Sequence, residues 1–215
     1  RRQLLVFDTQ GNLALKKDED KYSRLIDNKK TVYLIEKNII SLLDATGAAQ
    51  WSYPLYPLDD TSTDFFPAYP CAGDGQQEMA CSNGNTITWL AGDGTVKNYL
   101  NIGAIGSLTY SGDRKWLATR ETSYSLPAVG SQKTETDDSV FVLSDRGAIE
   151  QKIYMNPMIE TTYFCPSNPP YYSCVKRNNG DKVSQAFATA DKVIVSGYTG
   201  YSSSTFISAF SLGAQ

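Results

Sequence analysis

The sequence predicts an all-β fold, a propeller-like array of four-stranded antiparallel blades with four to five blades visible. Three observations predict it. The first is a turn that recurs along the 215 residues, an apolar strand followed by Asp-x-x-Gly or a near relative. It reads Leu4-Leu5-Val6-Phe7-Asp8-Thr9-Gln10-Gly11, then Leu42-Leu43-Asp44-Ala45-Thr46-Gly47, then Trp89-Leu90-Ala91-Gly92-Asp93-Gly94, then Val142-Leu143-Ser144-Asp145-Arg146-Gly147. The second is its period: the closing glycines fall 36, 47 and 53 residues apart, and periods of about 40–50 residues holding several short strands mark propeller blades. The third is composition. Tyr (14) is plentiful with Ser, Thr and Val, while Gly (16) and Pro (9) punctuate short runs, and no stretch sustains a helical period.

The elements follow in order. A first hairpin is expected over 4–7 and 12–15, and the charged stretch Lys16-Lys17-Asp18-Glu19-Asp20-Lys21 reads as a solvated loop, completing a unit at 1–20. The clearest blade, 31–55, joins β-branched Thr31-Val32-Tyr33-Leu34-Ile35 to 39–43, then passes through Asp44-Ala45-Thr46-Gly47 into 48–53, where Pro54 ends it. Asp bonds its own backbone in such turns and Gly accepts a positive φ. A third unit, 65–102, holds strands at 78–82, 86–91 and 96–100. The fourth, 107–155, runs through 107–119, a polar loop at 125–138, and strands at 140–143 and 149–154. The fifth, 160–215, has strands near 183–189, 192–197 and 205–212, and the chain stops where a further outer strand is due. We read 1–215 as a single propeller domain or partial propeller. The chain enters its first strand at Arg1-Arg2-Gln3 without an initiator Met, which predicts a preceding segment.

The second blade resembles the pyrroloquinoline-quinone-like repeat, whose units read strand, turn, apolar-Ala-Leu-Asp-x-x-Thr-Gly, then Trp. The matching residues are Ser41-Leu42-Leu43-Asp44-Ala45-Thr46-Gly47 and Trp51. The likeness is fair at Phe7-Asp8-Thr9-Gln10-Gly11 and loose at the later turns. Ser111-Gly112-Asp113-Arg114-Lys115-Trp116-Leu117-Ala118-Thr119 looks closer to WD40-type or TolB-type propellers. The resemblance implies a ring of seven or eight blades and, for its scaffold members, a non-catalytic role in an assembly. Quinone-dependent members hold their cofactor with a disulfide between adjacent cysteines. This chain has no Cys-Cys pair, so no cofactor is expected.

Chemistry is narrowed by what is missing. With no histidine, the chain lacks the commonest general base and metal ligand. A net charge of -3 gives no field for nucleic acid, and no apolar run approaches the roughly 20 residues of a spanning helix. Asp8, Asp44, Asp93 and Asp145 recur in the turn and are read as turn formers rather than a catalytic pair. Asp59-Asp60-Thr61-Ser62-Thr63-Asp64 lacks the order of a calcium loop and is read as a polar connection. No catalytic, cofactor or metal residues are assigned.

The four cysteines allow three pairings. Local bridges Cys71–Cys81 and Cys165–Cys174 are the simplest, and C-x-x-C or His partners for zinc are absent. Disulfides imply an oxidising, extracytoplasmic setting, and the lack of any N-x-S/T sequon fits a bacterial periplasm or cell surface. Aromatic residues gather around both pairs: Phe65, Phe66 and Tyr69 near one, and Tyr163, Phe164, Tyr171 and Tyr172 around the other. These are the candidate interaction surface. Other protein subunits are the expected partners, with carbohydrate stacking or inward packing of the same rings as the alternatives. A carboxylate-dependent carbohydrate-active propeller is the competing function.

Overall fold

The computed structural model describes residues 2–7, 10–19, 24–29, 31–36, 39–55, 70–111, 115–128, 131–164, 173–177, 180–199 and 204–212. The chain is an all-β succession of antiparallel, blade-like sheets, gathered into two compact units, Arg1–Asn101 and Ile102–Gln215. In the first unit, β1 (Arg2–Phe7) and β2 (Leu13–Glu19) form a two-stranded ribbon. Next come β3 (Arg24–Asp27), β4 (Val32–Glu36), β5 (Ile39–Leu43) and β6 (Ala49–Pro54), paired in chain order. The following sheet repeats that plan with β7 (Cys71–Gly73), β8 (Met79–Ser82), β9 (Thr86–Leu90) and β10 (Val96–Asn101).

In the second unit, β11 (Ile105–Ser111), β12 (Lys115–Ala128), β13 (Ser131–Leu143) and β14 (Ile149–Tyr154) pair in order. β13 continues past β14 and also pairs β15 (Met158–Phe164), which pairs β16 (Ser173–Arg177). A three-stranded sheet of β17 (Asp181–Ala188), β18 (Lys192–Thr199) and β19 (Ser204–Ser211) follows.

The recurring turn explains why the third and fourth strands of each plan find one register. At the first complete example, Gly47 N–H donates to Asp44 O (3.0 Å) and Asp44 N–H to Ala48 O (2.8 Å). That is a type I turn closed by one residue in the left-handed region, the three-residue hairpin with a glycine bulge. Gly47 has φ +82°, and Gly11, Gly94 and Gly147 share that conformation at +86°, +84° and +76°. In all four hairpins the ladder shifts register by the turn. The period seen in the sequence is therefore the period of a bulged hairpin.

Central strands are buried on both faces, so they read as apolar runs: Tyr33, Leu34 and Ile35 in β4, all of β8, and 139–143 in β13. Outer strands such as β6 and β10 alternate half-buried and exposed positions. One core cluster joins Tyr33, Ile40, Leu42, Met79, Cys81 and Leu90; another joins Leu117, Val140, Val142, Val193 and Val195.

Several expectations need correction. Residues 16–19 are strand, not loop: Lys16, Lys17, Asp18 and Glu19 lie opposite Leu5, Leu4, Gln3 and Arg2, and Gln3 Nε2 donates to Asp18 Oδ1 at 2.9 Å. Cross-strand polar pairing of this kind supports a ladder where a run of charges would suggest a loop. The expected polar loop at 125–138 is also mostly strand. β12 and β13 stay paired from Trp116↔Leu143 out to Ala128↔Ser131, because Thr, Tyr and Ser suit an extended chain. The inner strands β3 and β7 were not anticipated, and β15 and β16 extend the sheet of β13 rather than opening the last one.

Candidate functional site

The first candidate is the cysteine pair at 71 and 81. Ser82 N–H donates to Pro70 O at 2.9 Å, which makes Pro70 and Ser82 a hydrogen-bonded pair and leaves Cys71 and Cys81 in the non-hydrogen-bonded position beside it. Cα atoms approach most closely there, and the two lie 4.1 Å apart with their sulfurs at disulfide distance. Pro70 precedes the first residue of β7, where its missing N–H costs only the terminal bond of the ladder. Cys165 lies outside the described residues, so the pairing with Cys174 does too.

The second candidate is the seam between the sheets β3–β6 and β7–β10. Trp51, on β6, donates its indole N–H to the Gly92 carbonyl at 2.8 Å. Its ring lies so near Gly94 that a Cβ there would stand 2.7 Å from it. Tyr33 meets Trp51 edge-on, ring centres 5.8 Å apart, and its hydroxyl donates to Gln77 O at 3.0 Å. Burial pushes the Tyr33 phenol up. Asn28, buried, donates Nδ2 to Glu78 O at 3.2 Å and accepts from the Gly75 N–H. A Cβ on Gly73 would fall 2.2 Å from Asn28 Oδ1. The bare glycines of β7 and of the turn after β9 are thus the surfaces on which the preceding sheet seats its polar side chains.

A cleft of about 440 Å³ opens along this seam, lined by Val32, Leu42, Leu43, Asp44, Gln50 and Gln77 among others. Asp44 is the one carboxylate in its lining. Two converging carboxylates, the requirement for glycoside hydrolysis, are not assembled in it.

The second unit carries a related seam with different side chains. Gln151 occupies on β14 the place Trp51 holds on β6, four residues after the turn glycine and paired with Val142 as Trp51 is with Leu42. It donates Nε2 to Ser211 O at 3.3 Å. Thr109 Oγ1 donates to Ala186 O at 2.9 Å. The buried Asp138 carboxylate accepts the Val183 N–H at 2.7 Å, and its carbonyl accepts that of Met155. Asn156 donates Nδ2 to Asp181 Oδ2 at 2.7 Å.

The turn carboxylates are engaged locally. Asp44 Oδ1 accepts from the Thr46 hydroxyl (2.6 Å) and from the Thr46 and Ala48 amides. Asp93 Oδ1 accepts from the Thr95 hydroxyl (2.7 Å) and amide. The threonine hydroxyl is the main reason each carboxyl sits below its ordinary range. In the turn at 144–148 a serine does the work instead, Ser144 Oγ accepting from the Ala148 amide. Among the described residues no group of three or more His, Cys, Asp or Glu converges as a metal site.

Of the aromatic candidates, Phe65, Phe66, Tyr69, Tyr171 and Tyr172 lie outside the described residues. The backbones of Tyr163 and Phe164 belong to β15, Tyr163 opposite both Ser131 and Cys174, Phe164 opposite Ser173. Asn28, Gln77 and Gly92 were not picked out from the sequence. The extra glycine in Gly92-Asp93-Gly94 was the available signal for the last of these.

No protein-family model matches the chain, and no curated protein matches it either. Among solved structures, the Neurospora crassa Pan2 WD40 domain is similar over 86% of this chain and 62% of that one, at 13% identity and a TM-score of 0.41. A protein of unknown function from Bacteroides caccae is similar over 80% of this chain and 64% of its own, at 13% identity and a TM-score of 0.31. This chain therefore spans less than two thirds of either neighbour. Likenesses at such scores carry no argument, and the fold rests on the strand order and ladders described above. No helix of the described residues is long and apolar enough to cross a membrane.

Proposed function

We propose that this chain is a non-catalytic protein-interaction propeller of the pyrroloquinoline-quinone-like scaffold type, working outside the cytoplasm as a subunit of a cell-envelope or secreted assembly. The observation that carries this reading is the occupation of the repeat's polar residues. Asp44, Asp93 and Ser144 close turns, while Trp51 and Gln151 bridge one sheet to the next. The residues that recur thus build the array and leave variable positions to meet partners. The Cys71–Cys81 pair supports an oxidising compartment. One propeller domain over 1–215, with Cys165–Cys174 as a second bridge and the aromatic residues around both pairs as the binding face, belongs to the same proposal.

The test combines location, melting and binding. The native protein should fractionate outside the cytoplasm and cross-link to a defined subunit. Phe66→Ala and Tyr171→Ala should weaken that link while preserving the melting temperature, since truncating an interface anchor costs about 2 kcal/mol or more of binding. If either variant loses roughly 3–5 kcal/mol of stability and binding survives in the folded fraction, the rings are core and the binding face lies elsewhere.

A further inference from the structure

The cleft in the first unit is lined by groups that the fold does not use up. Its volume of about 440 Å³ falls in the range of sites for small ligands. Val32 on β4 lies opposite Leu43 on β5 in the ladder, and with Leu42 the two make an apolar wall. Gln50 and Gln77, both exposed, also line it. Gln77 is held from two sides. Its carbonyl accepts the Tyr33 hydroxyl at 3.0 Å, and its side chain lies on Gly92, where a Cβ would stand 2.9 Å from Gln77 Cβ. Among the described residues neither glutamine commits its carboxamide to a protein partner. A carboxamide offers both donor and acceptor, the complement of a peptide group.

Asp44 is the one charged residue in the lining, and it is not neutralised. Its bonds from the Thr46 hydroxyl and the Thr46 and Ala48 amides all end on Oδ1. No cation among the described residues pairs with it. Those bonds hold the carboxyl below its ordinary range, so it is ionised at neutral pH. Oδ2 is the oxygen left over. That selects between cations, because a guanidinium fork is matched by two carboxylate oxygens and a compact ammonium by one. A lysine also brings an aliphatic stem that lies along apolar surface while its head meets a charge.

We propose that this cleft is a docking pocket for a lysine side chain of a partner protein. The ammonium meets Asp44 Oδ2, the stem lies along Val32, Leu42 and Leu43, and the flanking peptide groups bond the carboxamides of Gln50 and Gln77. Charge complementarity selects the occupant: a lone carboxylate beside an apolar wall takes a cation on an aliphatic stem. The proposal rests on the reading of the chain as an interaction module, but not on the aromatic residues near the cysteines. It adds a second contact site within the sheets β3–β6 and β7–β10.

The test is an NMR titration of the nitrogen-labelled full chain with the peptide acetyl-Gly-Lys-Gly-amide. It needs no native subunit, so its failure leaves the cross-linking test above standing. The amide signals of Ala45, Gln50 and Gly92 should shift and saturate. Acetylating the lysine ε-amine should weaken binding by about tenfold or more. So should Asp44→Asn, which removes the charge, and Gln50→Lys, which sets a cation in the cleft with Asp44. Gln50 is exposed, so Gln50→Lys should keep the parent's melting temperature. Asp145→Asn, in the corresponding turn of the second unit, should leave binding unchanged. No shift at the cleft, or binding indifferent to acetylation and to both cleft variants, overturns the proposal. Tighter binding of acetyl-Gly-Arg-Gly-amide overturns it by removing the single-oxygen argument, and tighter binding of glucosamine by making the ligand a sugar amine.

Discussion

The indole N–H of Trp51 reaches the carbonyl of Gly92 at 2.8 Å, joining two sheets across 41 residues of chain. The bond and the packing can be separated. Trp51→Phe keeps a ring over Gly94 but leaves the half-buried carbonyl without this donor, an expected loss of about 1 kcal/mol. Trp51→Ala removes the packing as well and should cost roughly 3–5 kcal/mol. Urea denaturation of the three proteins measures both steps, and a Trp51→Phe protein as stable as the parent would show that the hydrogen bond contributes nothing.

Gly73 and Asn28 should behave as one unit. A methyl group on Gly73 would collide with the Asn28 carboxamide, which is buried and bonded to Glu78 and Gly75. Gly73→Ala should therefore destabilise the first unit by about 1–3 kcal/mol. Asn28→Ala should cost a similar amount through its lost bonds. In the double variant the collision has already been relieved, so the losses should fall short of additive by at least about 0.5 kcal/mol. Strict additivity would show that the two residues do not meet.

The turns predict an acid limb. Both Asp44 and Asp93 titrate below the ordinary range in the folded state, chiefly through the hydroxyls of Thr46 and Thr95. A carboxyl depressed by folding contributes stability above its unfolded pKa, near 3.9, and that contribution is lost as pH falls through the lower folded value. Denaturation midpoints from about pH 6 to about pH 2 should fall less steeply for Asp44→Asn and Asp93→Asn than for the parent. Thr46→Ala and Thr95→Ala should raise the respective carboxyl pKa, read by carbon NMR. Unchanged titration in both threonine variants would remove the hydroxyl as the cause.

Reduction should loosen the first unit. A bridge between Cys71 and Cys81 closes a ten-residue separation, for which loop entropy gives on the order of 2–3 kcal/mol. Thiol reductant, or Cys71→Ser with Cys81→Ser, should lower the melting temperature, and non-reducing peptide mapping should recover the two cysteines in one linked fragment. Recovery of Cys81 as an alkylatable thiol would refute it.

The glycine turns were legible in the sequence because their geometry is local: Asp44, Thr46, Gly47 and Ala48 contain the donors and acceptors that close the loop. Strands flanked by such turns came with them. The inner strands were not legible. Arg24–Asp27 and Cys71–Gly73 are short, and their places follow from ladders with β4 and β8 rather than from any pattern of their own. The ribbon at 121–137 was missed for the opposite reason, since its pairing is polar and carries no apolar alternation to recognise. Trp51 stood out as a motif residue, yet its acceptor is a backbone carbonyl, which leaves no trace in residue types. The aromatic residues near the cysteines were conspicuous by composition, a signal that says nothing of where their rings point.

Strand order also bears on how the chain matures. In the sheets β3–β6 and β7–β10 every strand pairs only with its neighbours in sequence. Each can zip as nested hairpins with short loop closures, the low-contact-order route that makes an all-β chain fold quickly. A polypeptide leaving the ribosome or a translocation pore can complete the first of these sheets once Pro54 has emerged, while the rest is still in transit. β15 is the exception, reaching past β14 to pair with β13, and so the sheet around β13 is the last part of its own neighbourhood to be finished.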